Sequence, residues 1–220
     1  MQNRVQKSET FLVAALLAVA GGFLDAYTYL CRGEVFANAQ TGNMVLFALR
    51  AAEGQWRAAG YYLIPILSFV LGVLVAEIIR NRRKAAGRFH WRHTVLGIEI
   101  LTLAVASFVP PGGWDLVVNI AVSFVCAMQV ESFRKVRGNP FASTMCTGNL
   151  RSGTDALFYA MKRRNGALLR KSFCYYGIIV LFMGGAALGA VVAPHLPQRA
   201  VLIAAGLQLA AFLLMVGENE

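Results

Sequence analysis

The chain alternates long apolar runs with short polar connections. Six of the runs approach the ~20 mostly apolar residues that a bilayer-crossing helix needs: 10–31, 60–79, 93–109, 115–133, 172–193 and 199–216. Two briefer apolar pieces, 44–52 and 154–161, are too short to cross and predict half-helices or re-entrant segments. Arg4 and Lys7, followed by the run Phe11 to Ala20 with its closing Ala18, Val19, Ala20 triplet, also match a secretory leader. The apolar character continues through Gly21, Gly22, Phe23 and Leu24, and the segment has a counterpart later in the chain, so it is read here as the first span.

Composition points the same way. Of the 220 residues, 57% are hydrophobic and 15% charged, against roughly 45 to 50% and about 25% in an ordinary soluble domain. This excludes a disordered or nucleic-acid-binding tail protein. The net charge of +10 reads as topology: with the N-terminus inside, 17 of the 21 Lys and Arg fall in inner segments, leaving Arg32, Arg50, Arg57 and Arg199 outside. The positive-inside rule then makes both termini cytoplasmic. Cys31, Cys126, Cys146 and Cys174 stand far apart without a CxxC pair, which indicates neither a disulfide framework nor a metal site. No cofactor is expected.

The most informative feature is a duplication. Asp25, Ala26, Tyr27, then Arg32, Gly33, Phe36, Ala37 and the triplet Thr41, Gly42, Asn43 are answered by Glu131, Ser132, Phe133, then Arg137, Gly138, Phe141, Ala142 and Thr147, Gly148, Asn149. Tyr61 and Tyr62 are likewise answered by Tyr175 and Tyr176. Each half holds three spans, and an odd number inverts the second half relative to the first. The expected fold is therefore an all-α integral membrane protein. It has one membrane domain over 1–220, in which repeats 10–109 and 115–216 are inverted and each carries a broken or re-entrant half-helix at its TGN motif. Such architecture is common among secondary transporters and some channels.

Candidate chemistry follows from that geometry. Irregular backbone at membrane depth is tolerated only where it is buried in protein or lines a cavity, and the alternative for the TGN segments is a surface turn. Gly42 and Gly148 are expected to supply turn freedom, and Thr41 and Thr147 to act as N-caps. The half-helix N-termini would attract an anion or carboxylate, with Asn38, Gln40, Asn43 and Asn149 adding uncharged polar groups. Asp25 and Glu131 complete the proposed substrate site, because an acid within a span usually marks a pathway or proton relay. Glu131 also has an ion-pair reading with Arg134, three residues on. Asp25, Glu131 and Glu99, which lies within its span, are the proton-coupling candidates.

Other polar residues have plainer readings. Glu77 is an interfacial acid beside Arg80, and Asn119, Gln129 and Gln208 are interhelical hydrogen-bonders. His90 and His93 read as interfacial anchors rather than metal ligands, and His195 is uninformative. Ala14, Ala18, Gly22 and Ala26 form a small-residue stripe, and Gly185 with Gly189 a GxxxG pair. Either could be a contact between repeats or a homodimer seam.

The blocks G-G-F-L-D-A-Y at 21–27 and F-A-N-A-Q-T-G-N at 36–43, with A-M-Q-V-E-S-F at 127–133 and T-G-N at 147–149, resemble the YoaK family of small bacterial inner-membrane proteins, a domain-of-unknown-function family. The resemblance covers nearly the whole chain. It implies a polytopic inner-membrane protein of about six spans and brings no substrate or catalytic residue.

The function expected from these features is secondary transport of a small solute or ion, proton-coupled through the buried acids, with a central site where the repeats meet. A passive small-ion channel and a non-transporting scaffold or regulatory subunit are the alternatives. An enzyme is not expected, since the spans hold no HExxH or GxSxG motif. The partners expected are the lipid bilayer and a small-molecule or ion substrate, with no nucleic acid.

Overall fold

Within lipid every backbone polar group must be satisfied inside its own segment, so apolar runs of this length fold as helices. The structure, a computed structural model, describes residues 6–86 and 91–216. It contains helices α1 (Phe11–Cys31), α2 (Gln40–Ala52), α3 (Trp56–Ala86), α4 (Trp91–Ala106), α5 (Asp115–Ser132), α6 (Cys146–Arg163), α7 (Gly166–Val192) and α8 (Val201–Met215). Strands β1 (Lys135–Val136) and β2 (Asn139–Pro140) pair antiparallel in the loop before α6. Arg4, Arg88 and His90 lie outside the described residues.

The six long apolar runs correspond to α1, α3, α4, α5, α7 and α8, and the two brief ones lie within α2 and α6. Four helices, α1, α3, α5 and α7, are long and apolar enough to cross a membrane. Helices α4 and α8 have 16 and 15 residues, roughly 24 and 22 Å at 1.5 Å per residue, against a hydrocarbon core of about 30 Å. Two helix starts are set by side chains. Thr10 accepts a hydrogen bond from the N–H of Val13, and Asn165 from those of Ala167 and Leu168.

The eight helices fall into two sets of four, α1 to α4 and α5 to α8, in each of which the third helix is the longest. Packing crosses between these sets: α1 lies mainly against α7, and α5 against α3. Small residues make the first contact possible, and they do so inside one chain. A β-carbon on Gly22 would collide with Phe182 O, and one on Gly185 with Val19 O. On Gly189 it would lie 2.9 Å from both Ala26 Cβ and Phe23 O. In the α3–α5 contact Gly72 has the same role against Phe124 O. Helices α4 and α8 pack on each other, with α8 against α1 and α4 against α5.

The polarity of this bundle is inverted relative to a soluble domain. Leu67, Val70, Leu71 and Leu74 of α3 and Val180, Met183 and Val191 of α7 are exposed, whereas Asp25, Arg32, Glu99, Asn119, Gln129 and Gln208 are buried. An apolar exterior of that extent requires an apolar surrounding.

Candidate functional site

The two duplicated loops lie at opposite ends of the bundle. The loop 32–39 adjoins the start of α5, where Arg32 pairs with Asp115 at 3.0 Å. The loop 133–145 adjoins the start of α1, where the N–H of Arg137 donates to Glu9 O at 2.7 Å. From these ends both loops reach to Gly21, the eleventh of the 21 residues of α1. Asn38 Nδ2 donates to Gly21 O at 3.2 Å, and the methyl group of Thr144 sits where a Gly21 side chain would be. Gly21 is about 15 Å from either end of its helix, so the two loops converge at the middle of the longest-buried span.

Each loop is locked by the asparagine of its TGN triplet. Asn43 Oδ1 accepts from the N–H of Phe36 at 3.0 Å, and its Nδ2 donates to Phe36 O at 2.8 Å. Asn149 makes the same pair of bonds to Ala142, at 3.4 and 2.6 Å. Both asparagines are buried, and each clamps backbone seven residues upstream. Asn43→Ala or Asn149→Ala should therefore cost about 1 to 3 kcal/mol, because buried backbone groups lose their partners. Asparagine to aspartate should also destabilise, since a carboxylate cannot donate to the carbonyl. Thermal unfolding in detergent measures both. Full stability combined with lost activity would instead mark these side chains as ligands.

Two expectations about the triplets are corrected. The N-cap positions are Ala39 and Met145, neither with a side-chain cap; Thr41 and Thr147 are exposed and lie one residue inside the helices. Gly42 and Gly148 are helical as well. The turns use Gly33 at φ +86° and Gly138 at φ +77°, the glycines of the duplicated Arg-Gly pairs. Gly42 is small for another reason: an added β-carbon would lie 2.8 Å from the Phe36 ring.

Asp25 occupies the start of α2. Its Oδ1 accepts from the N–H of Asn38 at 2.6 Å, two residues before the first residue of α2. The anion expected at this helix N-terminus is thus supplied by α1 itself. Gln40 Nε2 donates to Ala37 O at 2.9 Å, and Asn43 donates to Gln40 Oε1 at 2.9 Å, closing the turn.

A second buried carboxylate lies beyond it. Glu99, midway along α4, accepts from Gln208 Nε2 of α8 at 2.7 Å. Gln129 is satisfied with its amide nitrogen turned toward Glu99, 3.1 Å from both carboxylate oxygens, and its oxygen accepting from Ser143 Oγ at 3.2 Å. The opposite orientation would set two oxygens face to face. Cys126, three residues before Gln129 on α5, is buried in the apolar core with Ala37 and Leu103. Asp25 and Asn38 thus form one buried polar pair, and Glu99, Gln208, Gln129 and Ser143 a separate hydrogen-bonded group. Among the described residues no Lys or Arg pairs with Asp25 or Glu99, and the buried amide oxygens of Asn38 and Gln208 accept no hydrogen bond.

Glu131 is placed elsewhere. It binds Arg134 at 2.7 Å and Arg80 at 3.5 Å, and Glu77 binds the same two arginines at 3.0 and 2.9 Å. This four-residue network ties α3 to α5 near the end where the loop 133–145 begins. The residue of α5 that touches the second loop, as Asp25 touches the first, is Gln129. The acidic match at 25 and 131 pointed past it. His93 packs edge-on against Phe212 of α8, with ring centroids 5.0 Å apart.

Arg32 belongs to the duplicated motif, but its structural role has no local signature. Counted from the sequence as a loop cation, it is fully buried. Its Nε donates to Tyr27 OH at 2.8 Å, Nη1 to Asp115 Oδ1 at 3.0 Å and Nη2 to Val109 O at 2.7 Å. Its carbonyl accepts from Asn119 Nδ2 at 2.6 Å and from Tyr61 OH at 3.2 Å. The duplicate Arg137 is exposed and stands over the Phe11 ring at 5.6 Å.

A helical bundle with buried acids and amides and an apolar exterior is a membrane protein. The chain belongs to the family described as protein of unknown function (DUF1275), whose model matches residues 13–214. It is similar to the UPF0700 transmembrane protein YoaK of Bacillus subtilis (strain 168), at 26% identity over 194 residues, 82% of this chain and 82% of that one. No solved structure matches it.

Proposed function

We propose that the protein is a proton-coupled carrier of a small anionic solute, built from two inverted repeats, 10–109 and 115–216, in the bacterial inner membrane with both termini cytoplasmic. Helices α1, α3, α4, α5, α7 and α8 are its six spans, and α2 and α6 its re-entrant half-helices. The observation that carries this reading is the convergence of both loops on Gly21 beside Asp25. Irregular backbone at that depth is a feature of substrate and ion sites.

The coupling follows from what Asp25 already does. As a carboxylate it holds the N–H of Asn38, just ahead of α2. Once protonated it carries no charge to offer that N–H, which can then turn to the anionic group of a solute. Proton and anion then occupy the centre together and leave together. Glu99, in a buried polar group of its own, is a second acceptor. Burying an ionised carboxylate without a cation is costly, so both acids suit a proton that arrives and departs.

The test is uptake by proteoliposomes under an inward proton gradient, with small carboxylates and small amines as the panel. Carboxylate uptake driven by the gradient is expected, falling to the level of empty liposomes in Asp25→Asn. Flux indifferent to Asp25→Asn would overturn the reading, and flux indifferent to the gradient would favour the passive channel.

A further inference from the structure

Where α6 turns into α7 the chain concentrates charge. Lys162, Arg163, Arg164, Arg170 and Lys171 lie within ten residues, and Asp155 is the one acid among the residues from Arg151 to Lys171. The charge then stops: Phe173, Val180 and Met183 follow on α7 as exposed apolar side chains. A boundary of this kind, cations giving way to exposed hydrocarbon along one helix, sits at the headgroup layer of a bilayer.

A cavity of about 430 Å³ opens at this boundary between α6, α7 and the β2 strand. Arg163 and Lys171 line it, together with Asp155, Ser152 and the rings of Tyr159 and Tyr175. Its walls are fixed in place. Tyr175 OH donates to Pro140 O at 2.6 Å, Ser172 Oγ donates to Gly153 O at 2.8 Å, and the Arg163 guanidinium stands over the Tyr159 ring at 5.0 Å. Phe158 and Met161 on other faces of α6 and Leu169 and Phe173 on other faces of α7 are exposed apolar side chains.

We propose that this cavity is a binding site for the headgroup of an anionic phospholipid, of the phosphatidylglycerol type. Arg163 and Lys171 receive the phosphodiester. Asp155 accepts from a glycerol hydroxyl, which gives an acid in a basic pocket a role that a bare phosphate would not. The acyl chains extend into the surrounding lipid. The site is remote from Asp25 and Glu99 in the bundle and does not depend on the carrier reading.

The experiment is native mass spectrometry of the purified full chain in detergent, titrated with phosphatidylglycerol, phosphatidylcholine or phosphatidylethanolamine, with glycerol phosphate as the soluble competitor. Retention of phosphatidylglycerol over both other lipids is expected. It should fall by about fivefold in Arg163→Gln and again in Lys171→Gln, and hold in Arg57→Gln, an exposed cation outside the cavity. Arg163→Lys, which keeps the charge, should retain part of the preference. Equal retention of all three lipids, or a preference that survives the Arg163→Gln/Lys171→Gln double variant, would overturn the proposal. So would displacement of the lipid by glycerol phosphate, which would mark a soluble phosphate site.

Discussion

Arg32→Ala should lower the thermal unfolding temperature far more than Arg137→Ala, although the two arginines occupy matching positions in the duplicated motif. Arg32 is fully buried and makes three side-chain hydrogen bonds to three parts of the chain: its own helix, the α4–α5 connection and the start of α5. Removing it leaves Asp115 Oδ1, Tyr27 OH and Val109 O without their donor. Breaking a buried ion pair from one side costs about 3 to 5 kcal/mol. Arg137 stacks on Phe11 in the open, and its loss should cost about 1 kcal/mol or less. Arg32→Lys should recover only part of the difference, since one ammonium cannot span three acceptors set by a planar fork. Equal unfolding temperatures for Arg32→Ala and Arg137→Ala would show that the buried arginine is not a keystone of the fold.

Gly185→Leu is expected to prevent accumulation of folded protein, and its sequence neighbour Gly184→Leu to have little effect. At Gly185 even a β-carbon collides with Val19 O and lies 2.8 Å from Val19 C, so α1 and α7 must separate. No side chain can rotate out of the way, because the obstacle is backbone. Overpacking of a tight core costs about 1 to 3 kcal/mol per inserted group and more where nothing can yield. At Gly184 nothing lies within 4 Å, and a residue better suited to a helix than glycine should gain up to ~1 kcal/mol. Membrane-fraction yield and fluorescence-detected gel filtration separate the two. Comparable monodisperse yields would mean that the α1–α7 seam is looser than its glycines imply.

Much of this was legible in the chain. Apolar runs of 17 to 22 residues located α1, α3, α4, α5, α7 and α8, because the hydrophobicity of a segment is a local property. Helix α6, 18 residues long but polar in its first half, showed only its apolar part at 154–161. The duplication located both loops, and small-residue spacing marked the glycines of the α1–α7 seam without choosing between a contact within the chain and a homodimer. What stayed hidden were relations between distant residues. Thr41 and Thr147 looked like N-caps because threonine before a helical run often is one, yet the asparagines two residues on clamp the loop instead. Alignment of acid with acid paired Glu131 with Asp25. The structure gives Gln129 the contact with the second loop and places Glu131 among the arginines. Arg32 was one outer-loop cation among four, and nothing local distinguishes an arginine that folds inward to meet Asp115, 83 residues away, from one that meets water.

The crossed packing of the helices has a consequence for how the protein is made. Helix α1 finds its principal neighbour only in α7, which begins 135 residues after α1 ends. At roughly 5 to 20 residues per second of synthesis, the first helix waits on the order of ten seconds in the insertion machinery or the lipid before its partner emerges. Neither half is a finished bundle, because α5 in turn needs α3. Two fragments cut in the connection 107–114 should therefore assemble only when produced in the same cell, each acting as the chaperone of the other.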